Sequence, residues 1–90
     1  MDKVQIIKNI ITSNLFMTLA TSANNTPWSC PLFFASDKDL NLYFTSYNDS
    51  LHVKNILENP NVSVSIFDSR AIPGTGTTQA VYVSGTCKRA

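Results

Sequence analysis

The chain has 90 residues, 43% of them hydrophobic and 10% aromatic, with seven lysines and arginines against six aspartates and glutamates, for a net charge of +1. That supplies one core and excludes a second domain, and the near-neutral balance, with no basic run longer than Lys88-Arg89, excludes the electrostatic footprint of a nucleic-acid binder. No stretch approaches the about 20 apolar residues that cross a bilayer, and Cys30 and Cys87 lie far apart without the spacing of a zinc or redox motif, so a cytoplasmic protein without a disulfide framework is expected.

Asp2 is placed to cap a helix in which Val4, Ile7 and Ile11 recur at helical spacing beside Ile6 and Ile10, leaving Lys3, Lys8 and Asn9 for solvent. Lys8 and Asn9 inside that apolar stretch also argue against a signal sequence. The helix is expected to stop near Asn14, a residue tolerant of the left-handed conformation. Alternation from Leu15 to Thr21 predicts a first strand, and Asn24-Asn25 a tight turn. Pro27 then opens a second strand from Trp28 to Ser36, apolar on both faces and so expected to be central or ligand-facing. Pro31 cannot donate to a ladder, which requires that strand to be an edge, to carry a bulge, or to bend where something approaches.

Asp37-Lys38-Asp39 predicts another turn, and Leu40 to Ser46 a third strand, with Leu40, Leu42 and Phe44 on one face and the three strands forming a meander. Asn48, Asp49 and Ser50 open a second helix with an apolar stripe of Val53, Ile56 and Leu57, which Asn59-Pro60 ends. Val62, Val64 and Ile66 alternate in a fourth strand. A Gly- and Thr-rich loop, Pro73 to Thr78, precedes a last strand from Ala80 to Arg89, within which the sequence stops and in which Gly85 predicts a bulge or a close approach.

Most of the polar residues have an ordinary structural reading. The loop from Pro73 to Thr78 lacks the Lys-Ser/Thr ending of a nucleotide loop and precedes a strand, so it reads as a connection. Cys30 and His52 carry no signature of a cysteine hydrolase, and one histidine with two separated cysteines makes no zinc site. Asp37, Asp39, Asp49 and Asp68 fall at turns or strand ends, where short side chains bond the local backbone. The segment from Thr45 to Lys54 says more. Hydroxyls of Thr45, Ser46 and Ser50 and the basic residues His52 and Lys54 crowd the start of the second helix, where free amides and the helix dipole attract a phosphate. Just upstream, Trp28, Phe33 and Phe34 sit on a proline-disrupted strand, which suits a flat ring needing apolar walls and free main-chain groups.

The order of elements, and the run Tyr43-Phe44-Thr45-Ser46, Ser50, His52, Asn55-Ile56, Asn59-Pro60, Val62, resembles the pyridoxamine 5'-phosphate oxidase-like family of FMN-binding split barrels, from Leu15 through Gly85. The resemblance implies a mainly β fold with short helices, of α+β character: an antiparallel split β-barrel of the FMN-binding type. It implies one such domain over residues 1–90, without the further strand and C-terminal helix with which the family usually continues. It also implies a homodimer with FMN held where the subunits meet. By the same resemblance, Cys30, Pro31, Leu32 and Phe33 pass along the flavin ring largely through main-chain groups. Thr45 and Ser46 touch the ribityl chain or phosphate, Ser50, Leu51 and His52 lie at the phosphate, and Gln79 reaches the flavin from the other subunit.

One departure carries chemistry. Leu51-His52 stands where the true oxidases carry an Arg-Lys pair, removing one permanent cation and making the other pH-dependent. The substrate-phosphate residues of those oxidases lie in the C-terminal helix, so vitamin B6 oxidation is not implied. The expectation is FMN-dependent oxidoreduction of a small substrate, with no dedicated catalytic residue and no metal. A second class is a non-enzymatic module that stores or senses flavin or haem, with His52 as an axial ligand. A third, single-stranded nucleic acid on Trp28, Tyr43 and Tyr47, is disfavoured by the weak charge.

Overall fold

The structure, a computed structural model, describes residues 2–70 and 79–89; the expected loop from Pro73 to Thr78 lies outside them. Helix α1 spans Lys3–Ser13, and the Asp2 carboxylate caps it by accepting from the Gln5 amide at 2.8 Å. Ile10 and Ile11 are buried and Ile6 is half-buried, whereas Val4 and Ile7 stay exposed. The helix does stop at Asn14, but that residue is extended (φ −116°) rather than left-handed. Its side chain does the work a left-handed turn would do: Nδ2 donates to the Ile10 carbonyl at 2.9 Å and to Asp68 at 3.3 Å, while Oδ1 accepts from the Ser69 amide and hydroxyl. With the last turn satisfied in this way, the chain runs straight into strand β1.

Strand β1 (Phe16–Ala23) and β2 (Thr26–Phe33) form a hairpin joined by Asn24 and Asn25, both at positive φ (51° and 62°), as a two-residue turn requires. After helix α2 (Leu51–Glu58), β5 (Asn61–Phe67) and β6 (Ala80–Thr86) complete an antiparallel sheet of order β2-β1-β5-β6, numbered with the two short strands β3 (Ala35–Ser36) and β4 (Leu42–Tyr43). Thus β2 is an edge strand, not a central one, and it ends at Phe33 instead of Ser36. The expected third strand shrinks to β4, paired only with β3, so the meander stops at two strands. The cause is the tight turn between them. The Asp37 carboxylate accepts from the amides of Asp39 and Asn41, the Asn41 side chain and the Tyr43 hydroxyl, and Leu40 is driven to φ 64°. Gly85 lies opposite Val62 in unbroken register with open space around it, so neither the bulge nor the close approach is present.

The core lies on one side of the sheet: Met17 and Leu19 of β1, Val64 and Ile66 of β5 and Val81 of β6, covered by Ile10 and Ile11. Helix α2 lies across β1 and reaches β2, but its inward residues are His52 and Asn55, while Leu57 is 69% exposed. The expected apolar stripe therefore faces the sheet only in part: Ile56 packs against the core and Val53 is half-buried, but Leu57 turns to solvent. The reason is what lies beneath it: buried Thr21 and half-buried Ser22 need polar partners, and Asn55 and Asn59 donate to them at 3.1 and 3.2 Å. No helix among the described residues is long and apolar enough to cross a membrane.

Among the described residues, the other side of the sheet is open. None of the four strands contains a charged residue, and strand alternation turns Phe16, Phe33, Phe67 and Tyr82, all exposed, to this side. The Phe16 and Phe33 rings stack with centroids 4.3 Å apart. Between the aromatics, Thr18, Ala20, Ser63, Ser65 and Ser84 line a shallow hollow of about 270 Å³.

Asp68 ties β5 to α1 and to Arg70, whose Nε and Nη2 donate to its two oxygens at 2.9 and 3.2 Å. The Arg70 guanidinium, helped by Asn14, holds the carboxyl down to about 2 from its ordinary 3.8. A lowered acid pKa stabilises the fold fully above the unfolded value, so this contribution is expected to disappear as pH falls from 3.8 toward 2. Thermal melts across that range should fall more steeply for the wild type than for Asp68→Asn; equal slopes would remove Asp68 from acid unfolding.

Candidate functional site

The residues between β4 and α2 double back so that Ser46 stands beside the first turn of the helix. Ser50 occupies the N-cap position in an extended conformation, yet its side chain does not cap; its hydroxyl donates to the Tyr47 carbonyl at 2.7 Å. The first helical amide to find an acceptor is that of Lys54, on the Ser50 carbonyl at 3.1 Å. The amides of Leu51, His52 and Val53 are the orphan donors of the helix start, at the positive end of its dipole. Helix α1 differs, because Asp2 fills the equivalent place.

His52 turns inward and is only 9% exposed. Its Nε2 lies 2.6 Å from the Ser46 hydroxyl and 3.5 Å from that of Ser50, and its ring sits against Phe44 with centroids 6.1 Å apart. Burial pushes the imidazole below its ordinary 6.5, which leaves it neutral at pH 7. His52 is therefore a buried hydrogen-bonding group and not a surface cation. Thr45 and Leu51 are exposed, and Ser46 and Ser50 are half-buried.

The four strand residues divide. The Phe34 amide donates to the Leu15 carbonyl, so, by antiparallel alternation, even-numbered residues of β2 bond to β1 while odd-numbered ones turn their main chain to the open edge. Pro27 and Pro31 are both odd, which is how a strand with two prolines keeps its ladder. Pro31 and Phe33 thus offer free main-chain groups and exposed side chains. Cys30 and Leu32 use theirs on β1 and pack toward the core, where burial raises the Cys30 thiol pKa. Both cysteines are free.

Gln79 is elsewhere. It precedes β6, at the opposite edge from β2, and its carbonyl accepts from the Asp68 amide at 2.9 Å. With Ile6, Asn9, Ile10 and Arg70 it lines a separate hollow of about 210 Å³. One chain therefore brings Ser46, Ser50 and His52 together at the start of α2, with Leu51 in its first turn, and leaves Gln79 apart. Sequence reasoning missed Asn55, Asn59 and Thr21, which seat that helix. Their spacing shows only that His52, Asn55 and Asn59, at i, i+3 and i+7, share one polar face; it does not say that this face turns inward.

No curated protein sequence matches the chain. Among solved structures, one superposes with a TM-score of 0.79 at 13% identity, over 91% of this chain and 55% of its own. Another, described as the heme storage protein HutZ from Vibrio cholerae, superposes with a TM-score of 0.76 at 18% identity, over 99% of this chain and 66% of its own. The chain thus spans between 55% and 66% of the length of these structures, and at such identities the likeness is one of fold. That fold is a mostly antiparallel sheet with two short helices, of the split-barrel kind, which among the described residues does not close into a barrel. The family profile described as pyridoxamine 5'-phosphate oxidase matches residues 5–90, and the chain belongs to that family.

Proposed function

We propose that the chain binds FMN as a homodimer and serves FMN-dependent oxidoreduction of a small substrate. The observation that carries this reading is the uncapped start of α2, with the hydroxyls of Ser46 and Ser50 beside it, on a helix that packs against β1 and the edge strand β2. The donor set suits a phosphate monoester: three orphan amides, the Ser46 hydroxyl and a helix dipole. The open edge of β2 supplies carbonyls and the amides of Ser29 and Phe33 to a heterocycle, with the Phe33 ring as an apolar wall. When bound, flavin supplies hydride acceptance and onward electron transfer. The protein's part is to bind the phosphate, orient the ring and keep one side of it dry; no residue serves as acid or base.

The uncharged outer side of the sheet supports the homodimer, since a second copy would cover the exposed Phe16, Phe33, Phe67 and Tyr82 without burying a charge. A dimer is also the arrangement in which Gln79 of one subunit can serve the β2 edge of the other. Two free thiols suit a reducing cytoplasm.

A haem-binding module is the second reading, favoured by the fold shared with a heme storage protein. His52 suits it poorly, because Nε2 is buried against Ser46 and axial ligation would break that bond. Titration of the apoprotein with FMN, riboflavin and hemin separates the readings. FMN is expected to bind roughly 10- to 100-fold tighter than riboflavin, the worth of charge-assisted bonds to the phosphate. Equal affinities would remove the phosphate site, and a Soret band without flavin binding would favour haem.

A further inference from the structure

We infer that His52 is a positioning residue for Ser46: the imidazole decides which way the Ser46 hydroxyl proton points, and thereby whether the start of α2 accepts a phosphate dianion. The inference rests on the FMN reading and adds to it a proton taken up at an identified atom.

The geometry leaves few choices. A serine hydroxyl has one proton to give, and Ser46 Oγ lies 2.6 Å from His52 Nε2. The 2.6 Å contact by itself allows either neutral tautomer; we take the one protonated at Nδ1, in which Nε2 is an acceptor and takes that proton, so Ser46 turns only lone pairs toward the helix start. Lone pairs repel an anion. When Nε2 is protonated it donates to Ser46 Oγ, and the Ser46 proton is released to donate to a phosphate oxygen. Ser50 cannot substitute, because its own proton is on the Tyr47 carbonyl.

The surroundings leave the ring's charge to its ligand. Strands β1 and β2, against which α2 packs, carry no Asp, Glu, Lys or Arg, and their one titratable side chain is Cys30, kept as a thiol by burial. On α2 itself are Lys54 and Glu58; Asp49 and Tyr47 lie in the turn before it, and Tyr43 is engaged with Asp37 on the β3–β4 hairpin. The hydrogen-bonding neighbours of the imidazole are Ser46 and Ser50, neither charged. Desolvation therefore keeps the ring neutral in the apoprotein, and an adjacent dianion offsets the cost of protonating it. By linkage, FMN raises the His52 pKa and acid favours FMN. The phosphate's own second ionisation, near pH 6, opposes this at lower pH, so variants must be compared with the wild type at each pH.

The chain has a single histidine, which makes its NMR titration unambiguous. In the apoprotein the ring nitrogens should report the Nδ1–H tautomer and a midpoint below 6.5. Saturating FMN is expected to raise that midpoint by about one pH unit or more. In Ser46→Ala the dianion still raises the midpoint, but the wild type's FMN advantage over the variant should widen toward acid, where its Ser46 proton is released; Ser46→Thr should restore the wild-type profile. His52→Gln, whose amide can donate to Ser46 at every pH, should remove the histidine-linked part of the pH profile. If FMN binds while the His52 midpoint stays put, if the affinity ratio of Ser46→Ala to wild type is the same at every pH, or if the apo ring carries its proton on Nε2, the inference fails and the FMN reading stands. No FMN binding at any pH would overturn both.

Discussion

Ile66→Ala is expected to remove about 2–5 kcal/mol of stability and to lower Tm by roughly 10–30 °C, the largest effect of a single truncation in this chain. Ile66 is 0% exposed. It sits on β5, between β1 and β6, directly opposite Val81, and belongs to the cluster that includes Leu19 and Ile10. Truncation would open a cavity where sheet and α1 meet, and neighbours held by two ladders cannot collapse into it. Domains of this kind are stable by about 5–15 kcal/mol in all, so a marginal fold would lose much of its margin. Leu57→Ala, at a 69% exposed position of α2, is the control and should change stability by less than about 0.5 kcal/mol. Urea and thermal unfolding measure both, and a loss below about 1 kcal/mol for Ile66→Ala would mean that the core is not centred on this residue.

The second large effect concerns assembly. Ser65→Arg should weaken the proposed dimer at least about 100-fold, because an unpaired cation would have to be desolvated at an interface on this side of the sheet, at a cost of about 3 kcal/mol or more. Ser65 lies at the middle of the uncharged side, between Thr18 of β1 and Tyr82 of β6. Its side chain points away from the core, so the variant's circular dichroism should match that of the wild type. Sedimentation across a concentration series gives the result. A wild type that is monomeric throughout would refute the dimer, and a variant that dimerises as before would move the interface to another surface. If Gln79 serves the flavin across the interface, the variant should also release FMN more readily.

Parts of this fold could be read locally because their causes are local. The Asp2 cap reaches three residues, the Asn24-Asn25 turn two, and the alternation of β1, β5 and β6 needs only the period of a strand. The third strand failed for a reason that also lies in the sequence but outweighs alternation: one carboxylate, Asp37, gathers four donors within six residues and bends the chain before a ladder can grow. At the site, the crowding of Thr45, Ser46, Ser50 and His52 at a helix start was legible, whereas the direction of the imidazole was not. Nothing in the spacing distinguishes a histidine that meets solvent from one that meets Ser46.

By itself the sequence determined the two helices and the four strands of the main sheet, their order, the turn between β1 and β2, the family and the set of side chains at the start of α2. Only the tertiary structure decided that β2 is the edge, that α2 turns its polar residues inward, and that His52 is buried and neutral. Periodicity states which residues share a face and is silent on what that face meets. Asn55 is an ordinary exposed residue until Thr21, 34 positions away, brings a buried hydroxyl beneath it, and such pairings exist only once the chain has folded.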